Sequence, residues 1–196
     1  FLLSGLTYNI EPIRTKDKPY LDVLAESLNN PIRLVLGWTM ISAVTLPPSS
    51  AMLAYWMGGA FLMGAKRLSE YRQIASQQGK DLLARYRRSF AHYTEERILI
   101  SVFLYAMLSA FFLAVFLTKY RAEYILALPA FATMFATYLS VSLETDSVAQ
   151  RPEKLFRQTN LMVITGITAA IMLIFTFVNV PALDFISEPF YVALPK

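Results

Sequence analysis

Between Ile98 and Leu117 the chain runs without a charged side chain. A similar stretch follows from Tyr124 to Leu143, and another from Leu161 to Val180. Each is close to the roughly 20 residues that a helix needs to cross a bilayer core. In lipid every backbone N–H and C=O must be satisfied within the segment, so such runs restrict the chain to membrane helices. Two shorter apolar segments, Pro31–Leu46 and Ala51–Ala65, flank the turn signal Pro47-Pro-Ser-Ser50 and predict a helical hairpin. The first six residues are apolar but too short to span, and read as the end of a helix that begins upstream. The expected fold is therefore all-α and integral to the membrane: a bundle of five full transmembrane helices plus the end of a sixth. Composition agrees: 56% of residues are hydrophobic and 16% charged, where soluble domains carry about a quarter charged.

The polar segments between the runs fix an expected orientation. By alternation, residues 7–33, 66–97 and 144–158 lie on one side, and they hold fifteen of the eighteen lysines and arginines. The positive-inside rule places them in the cytoplasm. The net charge of +4 is thus mostly topological, which removes the main argument for a nucleic-acid partner. Within the long loop, Leu82, Leu83, Tyr86, Phe90 and Tyr93 follow helical spacing with Arg85, Arg87 and Arg88 among them. That pattern predicts an amphipathic helix on the bilayer surface, either as a lipid contact alone or as a cap over a cytoplasmic site.

Several chemistries are excluded. There is no cysteine and one histidine, His92, so thiolate or histidine zinc sites and Ser-His-Asp triads are absent. No glycine-rich phosphate loop occurs. No ionisable residue lies deep in a predicted span, which argues against a proton pathway or voltage sensor. A transporter would show interrupted helices or midplane polar groups, and neither is evident; a non-enzymatic membrane subunit is the remaining alternative.

The polar groups gather instead at the predicted cytoplasmic helix ends. Tyr8, Arg14, Lys16, Asp17, Lys18 and Asp22 share one segment, Asn29, Asn30 and Arg33 lie beside it, and Lys66, Arg67 and Glu70 close the hairpin, with Glu144 and Asp146 further on. Mixed cations and carboxylates suit a magnesium diphosphate, since carboxylates hold the hard cation and Lys or Arg neutralises phosphate oxygens. The plainer reading of Lys66 to Glu70 is a snorkelling anchor with an intrahelical ion pair. Asp17 and Asp22 either bind metal or orient the neighbouring cations, and Asp22 also suits a helix N-terminus. Asn29 and Asn30 either cap the chain before Pro31 or bond a substrate. Arg33, a turn inside its helix, calls for snorkelling or an anionic partner.

The stretch Tyr8-Asn-Ile-Glu-Pro12-Ile-Arg14-Thr-Lys16-Asp17-Lys18-Pro19 resembles the loop after the fourth helix of UbiA-type intramembrane prenyltransferases, and the spans then fit that family's fifth to ninth helices. Gly64-Ala-Lys-Arg-x-x-Glu70 and Glu144-Thr-Asp146…Pro152-Glu-Lys-Leu look more like the decaprenylphosphoryl-phosphoribose synthase branch. The resemblance implies one transmembrane domain over residues 1–196, lacking its N-terminal third. It implies an enzyme that transfers a polyprenyl group from a polyprenyl diphosphate to a small acceptor, with Mg²⁺ as cofactor. The acceptor is phosphoribosyl pyrophosphate or, alternatively, an aromatic quinone- or chlorin-type ring. Tyr8, Arg14, Lys16, Lys18, Asn29, Asn30 and Arg33 would bind substrate. Lys66, Arg67 and Glu70 would be catalytic, and Asp17, Asp22 and Glu70 would hold metal. The family's first aspartate-rich motif is absent from the chain, and Lys66, Arg67 and Glu70 replace the paired aspartates of the second.

Overall fold

The computed structural model describes residues 1–77, 79, 82–144, 147–150 and 152–183. Among them every regular element is a helix and no strand occurs. Eight α-helices follow in order: α1 (Leu2–Asn9), α2 (Leu21–Ser27), α3 (Asn29–Ile41), α4 (Ser49–Gln77), α5 (Leu83–Tyr86), α6 (Glu95–Tyr120), α7 (Leu128–Leu143) and α8 (Thr159–Phe177). Short 3-10 turns join several of them, notably at Thr15–Asp17, Arg88–His92 and Ala122–Ala127. Among the described residues three helical segments are long and apolar enough to cross a membrane: α6, α7 with its preceding turn, and α8.

The hairpin differs from expectation. Its first arm, α3, stops at Ile41 after 13 residues. At 1.5 Å per residue it is about 20 Å long, short of the ~30 Å hydrocarbon core. Residues 42–48, which include Pro47 and Pro48, are not helical. The second arm runs the other way: α4 continues through Lys66 and Glu70 to Gln77 without a break, 29 residues in all. It thus reaches roughly 43 Å and carries its apolar half directly into the polar segment.

Helix α4 is the hub of the molecule, packing against α2, α3, α6 and α7. Its main partner is α6. Phe61, Ala65 and Leu68 of α4 are buried with Ile98, Val102 and Tyr105 of α6. Small residues let the two backbones approach: Gly58 faces Ser109 and Gly64 faces Val102. Ser109 also donates from Oγ to the Ala54 carbonyl at 3.0 Å, a polar tie between the helices. On the far side of α4, Phe61 meets Phe135 and Tyr138 of α7 at ring separations of 4.9 and 5.7 Å. Helix α6 begins with a well-formed cap, Thr94 accepting from the Arg97 amide at 3.2 Å. At its other end Arg121 pairs with Glu123 at 3.4 Å and donates to the Val178 carbonyl, while Glu123 accepts from the Val180 amide. These contacts clip the α6–α7 turn to the end of α8. The outer faces of α6 and α8 remain apolar and exposed, as lipid-facing surfaces require.

The long loop corrects a second expectation. No amphipathic helix covers Leu82 to Tyr93. Helix α5 has only four residues, Arg87 is extended at φ −151° and ψ 124°, and a 3-10 turn follows. The break has a physical cause: Arg87 turns inward to buried acceptors, and Ser89, Phe90 and Tyr93 are buried with it. The segment is a strap across α2 and α4, not a surface helix.

Candidate functional site

Two carboxylates a helical turn apart, Asp22 and Glu26, face α4 from α2. Across from them Arg67 and Glu70 stand at i, i+3 on α4. The strap adds Arg87, Ser89 and Tyr93, and α1 adds Tyr8. Together they form one hydrogen-bonded network where the apolar bundle meets the polar segments.

Asp22 is fully buried and is the network's best-satisfied acceptor. Tyr93 donates to Oδ1 at 2.9 Å; Ser89 and Arg87 donate to Oδ2 at 3.1 and 3.2 Å. Arg67, also buried, forks between Glu70 at 2.9 Å and Glu26 at 2.6 Å. Its Nε points at Asp22 from 3.9 Å and has no hydrogen-bond partner. Tyr8 closes the ring, donating to Glu26 at 3.2 Å and accepting from Arg87 at 3.3 Å. The Tyr20 amide donates to the Tyr93 hydroxyl. Tyr20 itself takes φ 66°, a left-handed conformation costing a non-glycine residue about 1–3 kcal/mol.

Burial pushes the Asp22 carboxyl above its ordinary value, while Tyr93, Arg87, Arg67 and Ser89 pull the other way. Burial alone would lower Arg67, but Glu70, Glu26 and Asp22 more than offset it and hold the guanidinium above its usual range. Burial, then the adjacent Asp22, push the Tyr93 phenol far up, so it stays a donor.

The sequence-predicted residues divide into two sets. Tyr8, Asp22, Arg67 and Glu70 come together in the network. Arg14 is occupied in its own loop by Asp17 at 2.9 Å and Glu11 at 3.3 Å, and Asp17 also meets Arg88 at 3.5 Å. Lys16 donates to Asn9 at 3.1 Å. Lys16, Lys18 and Lys66 have no carboxylate partner among the described residues. Asn29 accepts from Ser4 at 3.3 Å, tying α3 to α1. Asn30 packs its amide where a Cβ on Gly59 would sit, tying α3 to α4. Arg33 is exposed and lies over the Phe1 ring at 6.0 Å, its apolar and polar demands met by snorkelling. Asp146 lies outside the described residues.

Asp17, Asp22 and Glu70 do not converge, and no group of three metal-binding side chains occurs among the described residues. Both oxygens of Asp22 are taken by protein donors, and Glu70 by Arg67. These carboxylates do not fit a resident Mg²⁺. Four network members escaped the sequence reading: Glu26, Arg87, Ser89 and Tyr93. Glu26 had a signal, its i+4 spacing from Asp22. Arg87 had none, because its cationic neighbours Arg85 and Arg88 disguise it as one face of a surface helix.

Compared with models of known protein families, with curated proteins and with solved structures, the chain matches none.

Proposed function

We propose that this chain is part of a UbiA-like intramembrane transferase that moves a polyprenyl group from its diphosphate to a small acceptor at the cytoplasmic face. In this reading α4 joins α6, α7 and α8 as membrane helices, α3 packs beside α4 although it is too short to cross as a helix, and the basic polar segments face the cytoplasm. The observation that carries the reading is the separation of charges at one membrane edge. Arg67 and Arg87 are consumed by carboxylates, whereas Lys16, Lys18 and Lys66 carry no such partner among the described residues. Cations left without carboxylates next to apolar helices suit a ligand with an anionic head and a hydrocarbon tail.

The chemistry asked of those lysines is electrostatic. The bond between the prenyl C1 and the bridging oxygen breaks, and its electron pair leaves on the diphosphate. An acceptor hydroxyl oxygen, or an aromatic carbon or oxygen, bonds to C1 and gives up its proton. Lys16, Lys18 and Lys66 stabilise the negative charge that grows on the departing diphosphate. Magnesium enters, if at all, as the counter-ion of the diphosphate, and no step is routed through a protein-held ion. The buried network holds α1, α2, α4 and the strap together, so Arg67 and Glu70 act as positioning residues. Phosphoribosyl pyrophosphate is the first acceptor to test, and an aromatic ring the second.

The test is turnover in reconstituted membranes, followed by diphosphate release and by labelled prenyl product. Lys16→Ala and Lys66→Ala should each lower turnover about tenfold, or ~1.4 kcal/mol in barrier, in protein that unfolds like wild type. Wild-type rates in both variants would overturn the assignment of the lysines. No product from either acceptor class with a polyprenyl diphosphate would overturn the transfer reading.

A further inference from the structure

A groove of about 550 Å³ opens on the side of the bundle between α2, α4 and α6. Its floor on α6 is a single stripe, Arg97, Ser101, Leu104 and Leu108, at successive i+4, i+3 and i+4 steps. Trp56 of α4 forms a wall, its indole N–H bonded to the Leu24 carbonyl of α2 at 3.0 Å. The lining is mostly apolar, and its one charged residue, Arg97, stands exposed at one end in the first turn of α6. Arg97 has no carboxylate partner among the described residues. The acidic residues of the same turn do not line the groove, and Glu95 is engaged by Arg72 at 3.4 Å.

We propose that this groove holds one acyl chain of an anionic phospholipid, with the lipid phosphate on Arg97. Two observations select that occupant. Charge complementarity sets the head: an unpaired guanidinium at the membrane edge forks naturally onto phosphate oxygens. Length sets the tail: Arg97 to Leu108 covers about 16 Å of helix, close to half of the ~30 Å hydrocarbon core, which is the depth of one leaflet. A long polyprenyl chain would overrun such a groove. The second acyl chain stays in the bilayer, which the open side of the groove permits. The site rests on α6 crossing a membrane and not on prenyl transfer.

The chain has two tryptophans, Trp38 and Trp56, so Trp38→Phe leaves a single reporter inside the groove. The protein is reconstituted into phosphatidylcholine vesicles containing a fixed fraction of lipid brominated on its acyl chains. Brominated phosphatidylglycerol should quench Trp56 at about fivefold lower mole fraction than brominated phosphatidylcholine, as expected for one cation at an anionic headgroup. Arg97→Gln should erase that preference and Arg97→Lys should keep part of it. Leu104→Trp, placed in a Trp38→Phe/Trp56→Phe background, moves the single reporter along the stripe and should show the same preference. Equal quenching by the two lipids, or a preference that survives Arg97→Gln, overturns the proposal. So does relief of the phosphatidylglycerol quenching by an equimolar polyprenyl phosphate, which would assign the groove to that tail.

Discussion

Replacing Arg67 by leucine should cost about 3–5 kcal/mol, the range for removing one partner from a buried ion pair. The number follows from what the guanidinium touches. It makes two charge-assisted hydrogen bonds, to Glu70 at 2.9 Å and Glu26 at 2.6 Å, each worth roughly 1.5–3 kcal/mol when made to a charged group. These do not simply add, because the Glu26 side chain keeps a third of its surface and can rehydrate. Glu70 cannot rehydrate so easily, and Asp22 loses a cation at 3.9 Å while fully buried. The perturbation therefore leaves uncompensated negative charge in a dry place, and that is what makes it large. The assay is reversible unfolding in mixed micelles with rising sodium dodecyl sulfate, read by helical circular dichroism. The double variant Arg67→Leu/Glu70→Leu should recover more than half of the loss, since it removes the stranded carboxylate as well. Arg67→Lys should recover little, because an ammonium lacks the planar fork that reaches two carboxylates at once. A loss below about 1 kcal/mol for Arg67→Leu would show that the network is solvated and loose, and the reasoning would fail.

Gly64→Ala sets a methyl 2.9 Å from Val102 Cγ2, so the gain of up to ~1 kcal/mol in helix propensity should be outweighed by ~1–3 kcal/mol of overpacking. The same micelle titration should show Val102→Ala rescuing Gly64→Ala, and an unchanged or raised midpoint for Gly64→Ala alone would contradict the close α4–α6 approach. The pH dependence of Asp22 has a definite sign. Its folded value lies above the ordinary 3.8, so its share of stability is full below that pH and is lost as pH rises through the folded value. The stability of Asp22→Asn relative to wild type should therefore improve from pH 4 towards 7, whatever the fixed cost of its altered hydrogen bonds. A relative loss over that range would show that the carboxylate is stabilised by the network more than it is penalised by burial.

The three apolar helices were legible because length and absence of charge are local properties. Ile98–Leu117 lies wholly within α6, and Leu161 to Phe177 within α8. The hairpin was only half legible. Residues 31–46 look like one apolar arm by composition, but Ser42 onward leaves the helix, where the weaker helix formers Ser42, Val44 and Thr45 precede Pro47. Composition reports whether a segment tolerates lipid and says less about whether it stays helical. The continuation of α4 to Gln77 was easier, since its polar half carries good helix formers such as Arg67, Leu68, Glu70 and Arg72.

The site was harder to read, for a reason visible in its bonds. Arg67 meets Glu26 across 41 positions in sequence and Arg87 meets Asp22 across 65. A charge cluster on paper mixes cations that are consumed by such distant partners with cations that are not. Lys66 and Arg67 are adjacent and chemically alike, yet a 100° step around α4 sends Arg67 into the core and leaves Lys66 half-buried without a carboxylate. The phase of α4 against α2 decides which is which, and Gly59 lies at that contact, with Ser27 of α2 and Asn30 of α3 packed against it. The consequence for chemistry is that an anionic headgroup has to compete for Arg67 and Arg87 against Asp22, Glu26 and Glu70, whereas Lys16, Lys18 and Lys66 have no carboxylate to displace among the described residues and Lys16 gives up only its bond to Asn9. On the proposed reading a diphosphate is therefore expected at the lysines, while the arginines hold α2, α4 and the strap together.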